Sequence, residues 1–137
     1  MSAPLTPGCF CWFELSTTNQ DSAKNFYSAL FDWNSADDDM GSAGIYTRFT
    51  IEGQDVGAAC TLHADQLAQG VPPNWLLYVL VDDADASAAR ISGAGGTLGV
   101  PPFGVETFGR MAVVSERSGA ASAVWDGRGP ARGGLPG

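Results

Sequence analysis

The chain is poor in the residues that would make its chemistry easy to name. It has one histidine, His63, three cysteines, and seven lysines and arginines against fifteen aspartates and glutamates, for a formal net charge of −8 over 137 residues. So few basic residues argue against a nucleic-acid partner, because a phosphate backbone must be neutralised by Lys and Arg. The acidic balance favours solubility and could also draw a cationic small molecule towards a binding site. Long hydrophobic runs are missing as well. Stretches such as Trp75 to Val81 fall far short of the roughly 20 residues that cross a bilayer, and no basic start followed by an apolar stretch opens the chain. A soluble, cytoplasmic protein with no membrane partner is expected. Cys9, Cys11 and Cys60 are odd in number, and Cys9 and Cys11 fall on one face of one strand, where a disulfide would be strained. They read as small buried hydrophobes. Three cysteines and one histidine do not show the four-ligand spacing of a zinc site.

What the chain does have is an internal echo. FELSTTNQDSAKNFYSALFDW, from Phe13, matches LYVLVDDADASAARISGAGG, from Leu77, when Asp21 is laid over Asp85; the offset of 64 residues puts Phe13 on Leu77 and Leu15 on Val79. A repeat of that length suits a duplicated supersecondary module rather than a solenoid unit. Two modules that each bury one side of a small sheet must pack, and the seam between them forms a groove.

The pattern along the chain fits this reading. After a lead over residues 1–8, Cys9 to Leu15 suits a strand. Thr18 followed by Asp21 resembles a capping box ahead of Ala23, Phe26, Tyr27 and Leu30 at helical spacing, which predicts a helix from Asn19 to Phe31. Asp37 to Asp39 with Gly41 and Gly44 reads as a solvated loop. Ile45 to Ile51 and Val56 to Leu62 read as a hairpin around Glu52-Gly53-Gln54-Asp55. A second module begins after Pro72-Pro73: a strand over Trp75 to Val81, a helix from near Asp83 stopped by Gly93, a strand over Thr97 to Val100, a loop PPFGVETFG, and strands over Arg110 to Ser115 and Ala121 to Trp125. The modules are bounded at 9–64 and 65–126. The tail, 127–137, is rich in Gly and Pro and has little to bury, so it is expected to be mobile or laid over a partner.

CWFELSTTNQDSAKNFYSALFDW, WLLYVLVDDADASAARISGAGG and GRMAVVSERSGAASAVWD together resemble the vicinal oxygen chelate superfamily, the glyoxalase/bleomycin-resistance/dioxygenase-like group, over about residues 8–126. The most specific pieces are the Asp-x-x-x-x-Phe-Tyr helix and the order of strand and helix patterns in both halves. The resemblance implies an α+β fold of two βαβββ modules whose curled mixed sheets surround a cleft, often in a homodimer. It also implies a divalent metal held by His or Glu from the first and last strand of each module. Here the first-strand positions fall on Trp12 and Leu76, the last-strand pattern maps onto Gly119 through Ala123 and puts Ala123 at the ligand, and the remaining position lies near Ala58 to Cys60. No His or Glu stands there, so no metal and no other cofactor is expected.

Strand alternation says what stands there instead, since residues two apart share a face. Phe10, Trp12 and Glu14 are expected on the cleft side, with Cys11, Phe13 and Leu15 under the helix. Leu76, Tyr78 and Leu80, then Ala121, Ala123 and Trp125, are expected on the same side in the second module. The ligand-binding set is therefore Trp12, Glu14, Tyr46, Leu76, Tyr78, Phe103, Arg110, Met111 and Trp125, an aromatic surface suited to a flat or cationic ligand. The bland alternative is that these rings are core. Glu14 is the candidate catalytic base, because desolvation in an aromatic groove would raise its pKa; structurally it would hydrogen-bond neighbouring strands, Arg48 or Arg110. Arg110 either anchors an anionic group or neutralises Glu14. His63, at a strand end, is placed at the rim.

Three functions compete. The first is a metal-independent binding protein for an aromatic or cationic natural product, of the type that sequesters an antibiotic. The second is a lyase or isomerase of the superfamily acting through Glu14 or His63, or using a divalent metal at other ligands. The third is a regulatory module holding a partner segment. The fold does not decide between enzyme and binder.

Overall fold

The computed structural model describes residues 6–105 and 107–127. Its elements are β1 (Phe10–Thr17), α1 (Gln20–Phe31), β2 (Asn34–Asp39), β3 (Ile45–Ile51), β4 (Gln54–Thr61), α2 (Ala64–Ala68), β5 (Asn74–Leu80), α3 (Ala84–Ala89), β6 (Thr97–Val105), β7 (Gly109–Ser115) and β8 (Ala121–Asp126), with one 3-10 turn at Gly41–Ala43. This is an α+β fold in which the order βαβββ occurs twice. The chain divides into two compact units. One spans Phe13–Leu76; the other takes the described residues up to Trp12 and from Leu77 onward. The expected tail lies outside the described residues from position 128.

In the Phe13–Leu76 unit the strand order is β2-β3-β4-β1. β2, β3 and β4 run antiparallel, and β1 closes the set in parallel with β4, Glu14 opposite Ala58 and Leu15 opposite Ala59. Parallel partners need a long crossover, which α1 and the antiparallel run supply. The hairpin between β3 and β4 is tighter than expected: Glu52 and Gly53 alone turn the chain, at φ 50° and 80°, and Ile51 pairs with Gln54. Positive φ at both central residues matches the twist of the strands it joins. Helix α1 starts one residue later than predicted, because Asn19 is its cap and accepts from the Ser22 N–H at 2.9 Å. The core gathers Leu15, Phe49 and Ala59 with Ala23, Tyr27, Trp33, Val56 and Trp75 packed against them.

Asp37 to Asp39 form part of β2 and are not a loop. The strand survives its acids because each pairs outward: Asp37 accepts from Thr47 Oγ1 at 2.7 Å and Lys24 Nζ at 3.0 Å, and Asp38 accepts from Arg48 Nε at 2.7 Å. A charged edge strand also resists pairing with other chains.

The other unit orders its strands β5-β8-β7-β6, with β5 parallel to β8. Gly8 N–H donates to the Leu80 carbonyl at 2.8 Å and Leu80 N–H to the Cys9 carbonyl at 2.9 Å, which is why the first described residues belong with this unit. Its core is small: Ala84, Ala112 and Val124, with Val81 packed against them. Helix α3 is capped by Asp83, which accepts from Ala86 N–H at 3.1 Å, and by the fully buried Asp126, which accepts from Ala84 N–H at 3.0 Å. The left-handed residue after this helix is Gly95, φ 89°, two positions beyond the predicted stop at Gly93. The predicted loop from Pro101 is largely strand: β6 continues to Val105, with register shifts between Leu98 and Phe103. Proline is tolerated there because β6 is an edge strand and Pro101-Pro102 sit within the irregular stretch.

Gly109 is fixed by close approach. A Cβ there would collide with the Asp126 carbonyl oxygen and lie 3.0 Å from Trp125 Cζ2, whereas at Gly104 a Cβ meets nothing within 4 Å. Gly109→Ala is therefore expected to cost about 2–3 kcal/mol or more in urea denaturation, and Gly104→Ala to be nearly neutral. Equal stability of the two variants would contradict this packing of β7 on β8.

Candidate functional site

In the Phe13–Leu76 unit the helix decides which side of the sheet is free. Leu15, Ala59 and Phe49 point towards α1, so alternation turns Glu14, Ser16, Ala58, Cys60, Tyr46 and Arg48 to the other face. Phe13, expected under the helix with Leu15, is 40% exposed instead. On the free face Tyr46 Oη donates to Glu14 Oε2 at 2.8 Å. Arg48 does not serve Glu14 there: its guanidinium is held between Asp38, at 2.7 Å, and Asp55, at 3.0 Å. Cys60 lies beside this pair, its Sγ 3.7 Å from Ser16 Oγ. Burial pushes the Cys60 thiol up to about 11; the negative charge of Glu14 adds to the rise and the Ser16 hydrogen bond opposes it. Leu76 is half-buried on β5, next to Trp75, which packs on the helix side.

In the other unit Leu80 pairs with Trp125, Trp125 with Met111, and Met111 with Phe103, so the four share one face across four strands. Tyr78 stands one row away, opposite Ala123, with its hydroxyl 3.8 Å from Met111 Sδ. Trp12, Tyr78 and Trp125 are 4, 5 and 3% exposed, while Phe103 is 43% exposed. The Trp125 indole N–H is buried and has no hydrogen-bond partner among the described residues. Arg110, expected with the ligand-binding residues, faces the opposite way. It neighbours Met111 in one strand, so the two cannot share a face. Its Nε and Nη2 each reach an oxygen of Asp85, in the first turn of α3, at 3.0 Å. It does not lie among the aromatic residues of this unit.

The metal positions implied by the resemblance carry Trp12, Leu76, Ala123 and the stretch Ala58–Cys60. Of these only Cys60 has a donor atom suited to a metal, and its raised pKa keeps it a thiol rather than the thiolate a metal takes. Among the described residues no three His, Cys, Asp or Glu side chains are grouped to hold an ion. The residues present do not fit the superfamily's divalent metal. His63 is the N-cap of α2 and is exposed.

A concavity of about 360 Å³ lies at the start of α1 and had no sequence signal. Gln20 organises it, donating to the Ile45 and Ala59 carbonyls at 2.9 and 3.2 Å and to Thr47 Oγ1 at 2.9 Å, and accepting from Thr61 Oγ1 at 2.8 Å. The Thr47 hydroxyl, then Lys24, holds the Asp37 carboxyl below the usual range. These polar groups satisfy one another, which makes this a brace between α1 and the sheet.

No family model matches the chain. It is 36% identical over 115 residues to CFP32 of Mycobacterium bovis, a protein carrying a glyoxylase name, covering 83% of this chain and 44% of that one. It is 34% identical over 131 residues to the anthracycline biosynthesis protein DnrV of Streptomyces peucetius, covering 88% of this chain and 48% of that one. Among solved structures, a methylmalonyl-CoA epimerase of Streptomyces coelicolor in complex with 2-nitronate-propionyl-CoA shares the fold, with a TM-score of 0.62 at 14% identity over 90% of this chain and 96% of that one. The chain belongs to the vicinal oxygen chelate superfamily. It spans about half the length of the curated relatives it matches. Each of its βαβββ modules turns one sheet face away from its helix. No helix among the described residues is long and apolar enough to cross a membrane.

The thiols report on this geometry. Cys9 is exposed and the Thr6 hydroxyl, at 3.4 Å, lowers its pKa, whereas burial, with a smaller contribution from Cys9, pushes Cys11 up to about 11. Near neutral pH a thiol reagent is expected to modify Cys9 first and Cys11 and Cys60 far more slowly. Glu14→Gln removes a negative charge and should lower the pH at which Cys60 reacts. An unchanged Cys60 profile would mean that the Glu14 carboxylate is not beside it.

Proposed function

We propose that this chain is a metal-independent, cytoplasmic binding protein for an aromatic or cationic natural product, acting by sequestration and working as a homodimer. The observation that carries the reading is the aromatic face formed by Trp125, Met111, Phe103 and Tyr78 beside Ala123, where a metal ligand would otherwise stand. Phe103, 43% exposed, offers ring area to a planar ligand, and Met111 beside it a polarisable thioether. The buried indole N–H of Trp125, without a partner among the described residues, supports a role in recognition, since buried donors are otherwise satisfied within the fold. The net charge of −8 supports a ligand that is not an anion. The name of the Streptomyces peucetius relative, an anthracycline biosynthesis protein, is compatible with a polycyclic aromatic ligand.

A second reading is favoured by one specific contact. The hydrogen bond from Tyr46 Oη to Glu14 Oε2 at 2.8 Å supports reading Glu14 as a base that Tyr46 positions, and the fold is shared with an epimerase. In that reading the chain is a lyase or isomerase that abstracts a proton with Glu14.

The two readings part at single substitutions. With a ligand found by calorimetric screening of polycyclic aromatic natural products, Trp125→Ala is expected to weaken binding by about 10-fold or more through lost ring contact. Glu14→Gln should change affinity only a few-fold. Loss of thermal stability in Trp125→Ala with unchanged affinity would return the ring to the core. Turnover of the bound compound by wild-type protein, abolished in Glu14→Gln, would replace the binder with the enzyme.

A further inference from the structure

The sheet face shared by Leu80, Trp125, Met111 and Phe103 is short of side-chain hydrogen-bond acceptors. Tyr78 and Ala123 lie one row away on the same side. Leucine, alanine and phenylalanine carry no acceptor, and the Met111 sulfur, a weak one, already takes the Tyr78 hydroxyl at 3.8 Å. The Trp125 indole adds a donor and no acceptor. The residue is 3% exposed, its Nε1 is buried, and that nitrogen finds no hydrogen-bond partner among the described residues. Nearly every buried donor in a folded protein is hydrogen-bonded, so a donor left over points to a group that arrives from outside.

Packing fixes where this donor stands. A Cβ at Gly109 would lie 3.0 Å from Trp125 Cζ2, a ring carbon on the same edge as Nε1, so that edge rests against the Gly109 backbone. Along the row, Met111 stands between Trp125 and Phe103, whose ring is 43% exposed. Trp125 and Phe103 are therefore two strands apart, about 10 Å, a span that a fused-ring molecule covers. Met111 is half-buried, and its unbranched thioether is the side chain of the row most able to change rotamer. Charge sets the kind of acceptor. Arg110, next to Met111, points to the opposite face and is paired with Asp85 at 3.0 Å. A neutral N–H with no cation from its own neighbouring strand beside it suits a neutral oxygen better than a carboxylate or phosphate.

We propose that the ligand carries a ring carbonyl, as in an aryl ketone or a quinone, and that Trp125 Nε1–H donates to its oxygen while the ring lies on Phe103 and Met111 gives way. The inference deepens the binding reading above and rests on it: that reading needs ring contact, whereas this one needs the N–H.

Calorimetric titration of the full chain with aminomethyl-fluorene and aminomethyl-fluorenone tests it, since the two share their fused rings and ammonium group and differ by one carbonyl. Wild-type protein is expected to bind the fluorenone about 10-fold more tightly or better, the difference between satisfying a buried donor and leaving it without a partner. Trp125→Phe keeps an aromatic ring and removes the donor, so it should bring the two compounds to the same affinity. In proton–nitrogen correlation spectra of wild-type protein the Trp125 indole signal should move further downfield with the fluorenone than with the fluorene, and this readout decides the matter if Trp125→Phe fails to fold. Equal affinities in wild-type protein, with equal shifts of that signal, would overturn the hydrogen bond and leave the aromatic binder standing. A fluorenone preference that survives in Trp125→Phe would also overturn it, by assigning the carbonyl to another donor. Binding of neither compound would overturn the aromatic-ligand reading and this inference with it.

Discussion

The parallel pairing of first strand with last is the constraint on which each unit depends. Glu14 beside Ala58 and Tyr78 beside Ala123 are the same event in the two modules. Parallel neighbours require a crossover, and the crossover places a helix over one face. Once Leu15, Ala59 and Phe49 are committed to α1, Glu14 and Cys60 have only the other face. A slip of one residue would bury the Glu14 carboxylate under the helix and expose Leu15. The helix-free face is thus a consequence of the same burial that holds the unit together.

The locally determined parts of this arrangement are legible in the sequence. Helix α1 and the β3–β4 hairpin follow from local periodicity and turn chemistry, and strand alternation placed Glu14 on the face opposite Leu15. The β2 strand did not, because acids are poor strand formers. What holds Asp37 and Asp38 in a strand is Lys24, Thr47 and Arg48, all distant in sequence. The extension of β6 through two prolines depends on its being an edge, a tertiary fact. Arg110 is different: its neighbour Met111 shares a face with Phe103 and Trp125, and two adjacent strand residues cannot both be there. Its Asp85 partner lies at the start of α3, and that ion pair was open to the alternation rule.

Composition also conceals how aromatic residues divide their work. Of the four tryptophans, Trp33 and Trp75 join Tyr27 and Phe49 behind α1, with Trp75 Nε1 donating to the Tyr27 hydroxyl at 3.1 Å. Trp12 and Trp125 belong to the other unit and are nearly fully buried. Counting rings predicts a sticky protein; placing them shows all four tryptophans packed into one unit or the other. At the positions where the resemblance implies metal ligands the chain carries Trp12, Leu76 and Ala123, none of which offers a donor suited to a divalent ion.

The central claim is recognition of a small aromatic molecule without a metal. Tryptophan fluorescence of chelator-treated protein, titrated with polycyclic aromatic and cationic natural products and read again after adding zinc, nickel, manganese or iron, tests it most directly. Saturable quenching before any metal is added, and unchanged afterwards, is the expected result. A response that appears only once a metal is present would contradict it and return the chain to the chelate enzymes.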